Sequence, residues 1–341
     1  MPRRGLAIGC GGTLGFAWTA VALQAVERQL GWDARSAEVL VGTSAGAELV
    51  ALLGSGRSAD GIVAALDGAG ADSVLAGHLA RHPGMRPPVP GWGWPARGLV
   101  GRGLRGEVDL TAGLAGLLPR GRGDAGWLRD LGDQLAGAGG PSAGGPSDGG
   151  SSGSTSGQGA GGPSGGGPGW VTHPATWIVA ADATTGVRTA FGSPTAPETT
   201  LAQAISASWA IPGWFPPVRI AGREHVDGGT ISSVSADLLI PLELDELVVL
   251  APMTSEHPVP ATGLSRLERL LRRRMTRGLD REVRQLRAAG TRVIRIEPGP
   301  AELAAMGANF MDPRRRQSTV DVSRLHTPTR VRAAISNGVA A

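Results

Sequence analysis

The feature that most constrains the fold is the stretch Glu38–Ala47, which reads Glu-Val-Leu-Val-Gly-Thr-Ser-Ala-Gly-Ala. It joins a short apolar run, which predicts a buried strand, to Gly-x-Ser-x-Gly and then to an apolar segment that predicts a helix. This order is typical of a nucleophile elbow, in which the hydroxyl of Ser44 stands at the tip and Gly42 and Gly46 permit the tight turn. The positive end of the following helix then lies beneath that hydroxyl. A plain structural turn is the alternative, because so short a motif recurs by chance in a glycine-rich chain.

A second glycine-rich turn precedes the elbow. Gly5–Gly9 predicts a first buried strand, and Phe16–Leu30 predicts a helix that Gly31 ends, so that Cys10–Gly15 links a strand to a helix N-terminus. The alternation of strand and helix predicts an α/β fold with a parallel sheet. Both glycine turns then lie at the carboxyl edge of one sheet, where ligands bind in open α/β folds. The bare amides of the first turn suit an anion, either a phosphate or a developing oxyanion.

A dinucleotide site is the competing interpretation of the first turn. Gly9, Gly11 and Gly15 nearly match Gly-x-Gly-x-x-Gly, but that pattern alone is weak. The dinucleotide interpretation also needs an acidic residue at the end of the second strand, to bind the ribose. That strand ends instead in Val41–Ser44. The sequence therefore disfavours a dinucleotide site.

The third feature is Asp227, which is followed by Gly228 and Gly229. Residues 219–226 predict a turn and a strand that delivers this aspartate. The two glycines permit close backbone approach and unusual dihedral angles, which suits an entry into a crowded site. An ordinary turn is the alternative, because Asp-Gly is among the commonest turn dipeptides.

The second half of the chain predicts further strands and helices. The strands are predicted at Thr176–Ala181, Val187–Phe191, Leu247–Ala251 and Thr291–Ile296. The helices are predicted at Thr200–Ala210 and Leu264–Ala289. The second helix is rich in arginine, and its basic face is either solvated or in contact with anionic lipid.

Together these features resemble the patatin-like phospholipase family. The glycine turn that begins at Cys10, the elbow Gly42–Gly46 and the Asp227–Gly229 triplet follow one another in that family's order. Residues 207–218 also look like the family's usual lead-in to the Asp-Gly-Gly strand. The resemblance covers about residues 5–251, apart from an insert rich in glycine and serine. It implies a three-layer α/β fold with a central, mostly parallel sheet flanked by helices.

The resemblance also implies a Ser–Asp dyad rather than a triad. Ser44 would attack an ester carbonyl, Asp227 would accept its proton, and water would then hydrolyse the acyl-enzyme. The backbone amides of Gly11 and Gly12, together with Thr13, would form the oxyanion hole. The implied function is hydrolysis of lipid or other carboxyl esters, of the phospholipase A, lysophospholipase or esterase type. No metal and no cofactor are implied.

Two residues depart from the family pattern. Cys10 replaces the first of three consecutive glycines, and Leu14 stands where a basic residue is common. The departures bear on catalytic efficiency and head-group preference more than on the fold, because the backbone donors survive both changes. A non-catalytic protein of the same fold that binds lipid or acyl groups therefore stays open.

An α/β-hydrolase with a Ser-His-Asp triad is the second enzyme interpretation. In that fold an extensive upstream sheet precedes the elbow, whereas a single strand–helix unit precedes Ser44 here. The triad also needs a histidine, and none of the downstream candidates lies in a telling motif. The candidates are His173, His225, His257 and His326.

Composition divides the chain into four parts. Residues 1–135 and 170–300 are predicted to be two parts of one patatin-like domain. The first contains the oxyanion turn and the elbow, and the second contains the Asp-Gly-Gly strand and the basic helix. Residues 136–169 are almost entirely Gly, Ser, Pro and Ala, which predicts a disordered insert. Residues 301–341 form a C-terminal extension.

The segment Arg86–Pro95 mixes proline, glycine and tryptophan, which predicts irregular surface structure. Trp92 and Trp94 either contact lipid head groups or an acyl chain, or cover a small satellite core. Whether the segment is a lid stays open.

Charge and cysteine content bear on partners and compartment. All 33 basic residues are arginine, so a sequence pI of about 10.8 coexists with a formal net charge of only +4, and no nucleic-acid partner is indicated. Cys10 is the single cysteine, which excludes an intramolecular disulfide and favours a reducing compartment. The apolar run Leu6–Ile8 is too short for an export signal, and no run is long enough for a membrane span. We predict a cytoplasmic protein, in solution or peripheral to a membrane, with the oligomeric state open.

Overall fold

The computed structural model describes residues 2–81, 83–137, 169–256, 259 and 265–339. Positions 138–168 of the predicted insert lie outside the described residues, and so does His257. The strands are β1 (Arg4–Ile8), β2 (Leu40–Thr43), β3 (Thr176–Asp182), β4 (Arg188–Phe191), β5 (Val218–Ile220), β6 (Arg223–Asp227), β7 (Glu246–Leu250) and β8 (Arg292–Ile296). The helices are α1 (Gly12–Leu30), α2 (Ala45–Gly54), α3 (Ala59–Leu66), α4 (Ser73–Ala80), α5 (Gly98–Leu104), α6 (Leu110–Ala115), α7 (Gly126–Gly137), α8 (Leu201–Ser208), α9 (Ser265–Ala288), α10 (Pro300–Met306) and α11 (Arg316–Val339).

The strands form one mixed sheet in the order β5-β6-β3-β2-β1-β7-β8, with β4 paired to β3. From β3 through β2, β1 and β7 to β8, neighbouring strands are parallel. The pairs β3–β4, β3–β6 and β5–β6 are antiparallel. A parallel sheet needs crossover connections, which place helices on its faces. The predicted α/β class, with a central and mostly parallel sheet flanked by helices, is confirmed.

Alternating side chains of the strands enter two separate cores. In β1, Leu6 and Ile8 lie in a core shared with α1, α2, α8 and α11, whereas Ala7 lies in a core shared with α9. In β7, Val248 belongs to the first core and Val249 to the second. The sheet is therefore the middle layer of three, with α9 on one face and the other helices mainly on the opposite face.

Strand β3 brings two of the predicted site residues together. It pairs with β2 as far as Thr43↔Val179, and it pairs with β6 from Asp227↔Ala180. Adjacent residues of β3 thus hold the end of the strand before Ser44 and the end of the strand that carries Asp227. Because the register fixes both strand ends, the sheet itself positions the two side chains.

The chain after residue 300, predicted above as an extension, packs onto the same body. Helix α11 lies against α1 and β8. The residues before α11 also reach the first glycine turn, where the Leu14 amide donates to the Phe310 carbonyl at 3.0 Å. Within the described ranges, no helix combines the length and apolar character that a membrane span requires.

Candidate active site

The turn after β2 has the strained backbone geometry expected of a nucleophile elbow. Ser44 has φ 56° and ψ −118°, a conformation that residues other than glycine rarely adopt. Helix α2 begins at the next residue, so strand, turn and helix follow in the predicted order. A Cβ atom on Gly42 would overlap the backbone of Gly46, and one on Gly46 would overlap the carbonyl of Ile8. Only glycine fits at both positions of this turn.

Ser208, the last residue of α8, fixes the backbone of the elbow. Its hydroxyl accepts a hydrogen bond from the Ser44 amide at 2.8 Å and donates one to the Val179 carbonyl at 2.6 Å. The side chain is fully buried. Sequence reasoning noted the segment 207–218 but gave this serine no role. The available signal was a serine as the last residue of a helix made mostly of small and apolar residues.

Asp227 lies beside Ser44 at the end of β6. The Gly229 amide donates a hydrogen bond to its carboxylate at 2.7 Å, and both Ser44 and Asp227 line the same cavity. Only 2% of Ser44 and 5% of Asp227 is exposed. Burial raises the pKa of Asp227 to about 7, although the Ser44 side chain and the Gly229 amide act in the opposite direction. A carboxylate with a pKa near neutral pH is suited to accept and return a proton.

The two glycines after Asp227 allow the strand end to approach the elbow and the first turn. A Cβ atom on Gly228 would lie 2.8 Å from the Val179 carbonyl oxygen, and one on Gly229 would lie 2.9 Å from the Cys10 sulfur. The Cys10 side chain therefore occupies the space that Gly229, just after β6, leaves free by having no side chain. Burial, and secondly the charge of Asp227, raises the pKa of the Cys10 thiol. This departure from the family pattern adds a neutral thiol beside the dyad.

The amides of Gly11 and Gly12 are available beside Ser44. Both glycines border the same cavity as Ser44 and Asp227. They stand at the start of α1, where amides have no acceptor within the helix, and no backbone bond of the described residues uses them. Gly12 has φ +56°, and a Cβ atom there would lie 2.6 Å from the Phe310 ring. The turn thus depends on glycine at position 12 for both its dihedral angle and its packing.

The side chains of the next two residues, Thr13 and Leu14, do not line the cavity. Thr13 is buried, and its hydroxyl lies 4.0 Å from the Met311 sulfur. Leu14 is fully buried in the core, so it brings no charge to the site.

Arg272 of α9 stabilises the loop that packs against the glycine turn. It is buried, is paired with Glu268 at 2.7 Å, and donates to the carbonyls of Pro252 at 2.6 Å and Thr254 at 3.0 Å. The ring of Pro252 in turn packs against Gly11. A buried cation with a carboxylate and two carbonyls as partners holds this loop in one position.

A cavity of about 290 Å³ opens over Ser44 and Asp227. One wall is α6 and the other is α9. Much of the lining is apolar, formed by Leu118, Ile211, Ile231, Met253, Met275 and Phe310. An apolar cavity with a few convergent polar groups is the usual form of a small-molecule site. The lining suits an acyl chain.

Two arginines of α9 stand in the same cavity. Arg274 and Arg281 are seven residues apart, so they lie on one face of the helix. Opposite them is Asp109 at the N-terminus of α6, whose carboxylate lies 3.8 Å from the Arg274 guanidinium. Sequence reasoning treated the basic face of this helix as solvated or lipid-facing and missed its place in the site wall. The seven-residue spacing was the available signal.

The three candidate histidines of a triad that the structure describes lie elsewhere. Among the described residues, no histidine borders the cavity that contains Ser44. His225 is buried against Phe191 and bonded to the Arg223 carbonyl at 3.2 Å, and burial lowers its pKa. His173 bonds to the Ala37 carbonyl at 2.8 Å, and His326 is exposed on α11. In the same described ranges, no three His, Cys, Asp or Glu side chains are grouped as a metal site requires.

A family model described as patatin-like phospholipase matches residues 171–240. The resemblance to the patatin-like phospholipases is thereby confirmed. The matched stretch contains Ser208 and Asp227, whereas Ser44 and the first glycine turn lie outside it.

Comparison with solved structures and curated proteins adds little to the patatin-like match. A crystal structure of VipD from Legionella pneumophila aligns with 98% of this chain and 67% of that chain, at 14% sequence identity and a TM-score of 0.39. A likeness this distant supports no statement about the fold or the chemistry. No curated protein sequence matches the chain significantly.

Proposed function

We propose that this chain is a serine-dependent lipid acyl hydrolase that cleaves carboxylic esters through an acyl-enzyme. The observation that carries the proposal is that Ser44, at the tip of a strained strand–helix turn, and the buried Asp227 carboxylate lie together at the base of an apolar cavity. The patatin-like match adds that proteins with such a domain act on lipid esters.

In the acylation step, the Ser44 oxygen attacks the carbonyl carbon of the ester and its proton passes to the Asp227 carboxylate. The carbonyl oxygen becomes an oxyanion, and the amides of Gly11 and Gly12 donate to it; Thr13 is the third donor that the family resemblance implies. Donors held in place by the fold stabilise this charge without rearrangement. The alcohol then leaves with the proton that Asp227 returns, and the acyl group stays on Ser44.

In the deacylation step, water attacks the acyl carbonyl and gives a proton to Asp227. The same amides stabilise the second oxyanion, and collapse releases the carboxylic acid and restores the Ser44 hydroxyl. One carboxylate thus takes both protons and returns both, which requires a pKa near the working pH. The pKa of about 7 that burial gives Asp227 suits this double role.

A fluorophosphonate probe and a short-chain p-nitrophenyl ester test the proposal directly. We expect the probe to label the wild type at Ser44, and Ser44→Ala to lose both labelling and ester hydrolysis. Asp227→Asn should lower turnover by about 10³-fold or more, as in other nucleophile–base pairs that act as a unit. Ser208→Ala serves as a matched serine control in the same cluster, and it should retain labelling at a reduced rate.

Probe labelling and ester hydrolysis also distinguish the proposed dyad from its two alternatives, a lipid-binding protein without turnover and a Ser-His-Asp triad. If the wild type neither labels nor hydrolyses the ester but binds fatty acid, the chain is a lipid- or acyl-binding protein without turnover. If His225→Ala is as inactive as Asp227→Asn, a triad replaces the dyad. We place the hydrolase in a reducing, aqueous compartment next to a membrane, since Cys10 is a free thiol and the substrate class is lipid.

A further inference from the structure

Exposed apolar side chains concentrate in residues 86–122, which we call the entrance segment. Of the eleven large apolar side chains that are exposed in the described residues, eight lie here. They are Val89, Trp92, Trp94, Leu104, Leu110, Leu114, Leu117 and Leu118. Single exposed apolar residues are ordinary, but a concentration of eight in one segment is typical of a surface that a partner covers.

Helix α6 connects this surface to the dyad. Thr111, Ala115 and Leu118 line the cavity over Ser44. Three residues of the adjacent helix face, at positions 110, 114 and 117, are leucines with 51%, 52% and 55% of their surface exposed. The amides of residues 117 and 118 donate three residues back, so the helical turn continues past Ala115. One side of a short helix therefore borders the cavity, and the next side carries a leucine stripe open to solvent.

The tryptophan loop is fastened beside this stripe. The amide of Gly91 donates to the Arg120 carbonyl at 2.7 Å, and the Arg120 amide donates to the Gly93 carbonyl at 2.8 Å. Trp92 stands between these two bonds with 95% of its surface exposed. The interpretation in which Trp92 covers a satellite core is therefore wrong. Indole rings held open to solvent beside leucines are typical of membrane–water interfaces.

A small core does exist under the entrance segment, but other residues form it. Ala96 and Leu99 pack there against Ala181 and Val226 of the sheet. The segment is thus anchored through its buried side, and its exposed leucines and tryptophans are not needed to hold it. An anchored platform can insert side chains into a membrane without unfolding.

The charge of the entrance segment favours an anionic partner. It contains six arginines and only two acidic residues. Glu107 is paired with two of the arginines, and Asp109 with Arg274 of α9. Arg86, Arg97 and Arg122 are exposed, and no ion pair of the described residues involves them. Unpaired arginines around an apolar patch are attracted to anionic lipid head groups.

We propose that the entrance segment docks onto the surface of an anionic lipid bilayer. Leu110, Leu114, Leu117 and Trp92 enter the interface, and the surrounding arginines contact the head groups. A lipid then passes along α6 from the bilayer to Ser44. This last step rests on the proposed hydrolase function, whereas the docking itself does not.

Vesicle flotation tests the docking with the Ser44→Ala protein, so that hydrolysis cannot alter the lipids. We expect binding to phosphatidylserine-containing vesicles that is at least about tenfold stronger than to pure phosphatidylcholine vesicles, and that weakens with salt. The double variant Leu114→Ser/Leu117→Ser should lose about tenfold or more in partitioning, because two apolar side chains no longer enter the interface. The triple variant Arg86→Gln/Arg97→Gln/Arg122→Gln should lose the preference for phosphatidylserine and keep the weaker binding.

Leu325→Ser is the matched control, because Leu325 is a leucine with 75% exposure on α11, outside the entrance segment. It should bind vesicles as the parent does. Equal losses in the control and in the leucine double variant would overturn the proposal, and so would a parent protein that binds no vesicles. If the parent instead forms dimers without lipid and the leucine double variant is monomeric, the surface is an interface between two copies of the chain.

The two proposals fail separately. Vesicle binding without p-nitrophenyl ester hydrolysis by the wild type would retain the docking and exclude the hydrolase. Ester hydrolysis without vesicle binding would retain the hydrolase and exclude the docking.

Discussion

The base of the cavity and the entrance segment are built on opposite principles. The base consists of residues 9–13, 42–46 and 227–229, almost all of them buried, and several of its glycines have no room for a Cβ atom. The entrance segment instead has large apolar side chains in solvent and a small core beneath them. Changes at the base should therefore alter the chemistry, and changes at the entrance should alter which molecules reach it.

Among changes that leave Ser44 and Asp227 in place, the largest effect we expect is at Gly12, with Gly31 as its control at the other end of α1. The two glycines have nearly equal φ angles, +56° and +54°, but a Cβ atom on Gly12 would meet Phe310 and Met311, whereas one on Gly31 meets nothing within 4 Å. Gly12→Ala should lower kcat/KM by about 100-fold or more per folded molecule, because it displaces an oxyanion donor. Gly31→Ala should cost about 1 kcal/mol of unfolding free energy through strain alone and leave kcat/KM unchanged.

Thermal unfolding and ester kinetics on the two alanine variants make this comparison. Equal kcat/KM in both would mean that the turn at Gly12 has no part in catalysis. If Gly12→Ala does not fold, labelling of Gly11→Ala by the fluorophosphonate probe is the second test. Gly11 has φ −176°, which any residue adopts, so the strain there comes only from a Cβ atom 2.7 Å from the Gly15 Cα atom and from the Pro252 ring.

A smaller change in kcat/KM is expected from pH, and it too arises from a residue at the base of the cavity. With the pKa of Asp227 raised to about 7, the fraction of ionised base, and with it kcat/KM, should rise about tenfold between pH 6 and pH 8. If kcat/KM instead fell on the acid side with an apparent pKa near 4, that result would contradict the burial of Asp227. Leucine-to-serine changes in the entrance segment should leave this profile where it is.

The same raised pKa destabilises the fold as the pH rises. A buried carboxyl whose pKa is higher in the folded than in the unfolded state binds more protons when folded, so the unfolding free energy falls from about pH 4 to about pH 7. The Asp227→Asn variant should lack this fall in unfolding free energy. Urea unfolding at pH 8 should therefore show that the variant is more stable than the wild type. Glu282, whose pKa burial also raises to about 7, should retain a slope of the same sign in that variant.

The smallest effect is expected at Asp109, where the base and the entrance meet. Asp109→Asn keeps the helix cap, because an amide oxygen can still accept from the Thr111 amide, and it frees Arg274 from its partner. We expect KM for an anionic ester to fall a few-fold and KM for a neutral ester to stay unchanged. Asp109→Ala removes cap and charge together, and should in addition cost about 1 kcal/mol of unfolding free energy.

Much of the base could be predicted because its motifs are local. Strand, turn and glycine spacing around Ser44 and Asp227 follow from the backbone geometry that each turn requires, and the short strands of both halves were found by their apolar runs. The parallel core of the sheet followed from the alternation of strand and helix.

The walls of the site could not be predicted in the same way. Arg274 and Arg281 lie on an amphipathic helix. Its sequence would show the same pattern of polar residues if that face were exposed to solvent. Ser208 acts through a contact with an amide that is 164 residues away in the chain. The approach of Phe310 to the glycine turn depends on the path of the chain after β8, which no local pattern encodes. Contacts of this kind are decided by tertiary packing.

The chain could be divided into two fragments between β2 and β3, because the register of β3 fixes how the fragments would pair. A break between residues 137 and 169 would yield one fragment with Ser44 and the oxyanion amides and another with Asp227, Ser208 and α9. Neither fragment contains a complete site, and the pairing of β2 with β3 and of β1 with β7 is what joins them. Under the proposed function, ester hydrolysis would then report that two separately produced polypeptides have associated, and the pair Ser44 and Asp227 would be usable as a complementation reporter.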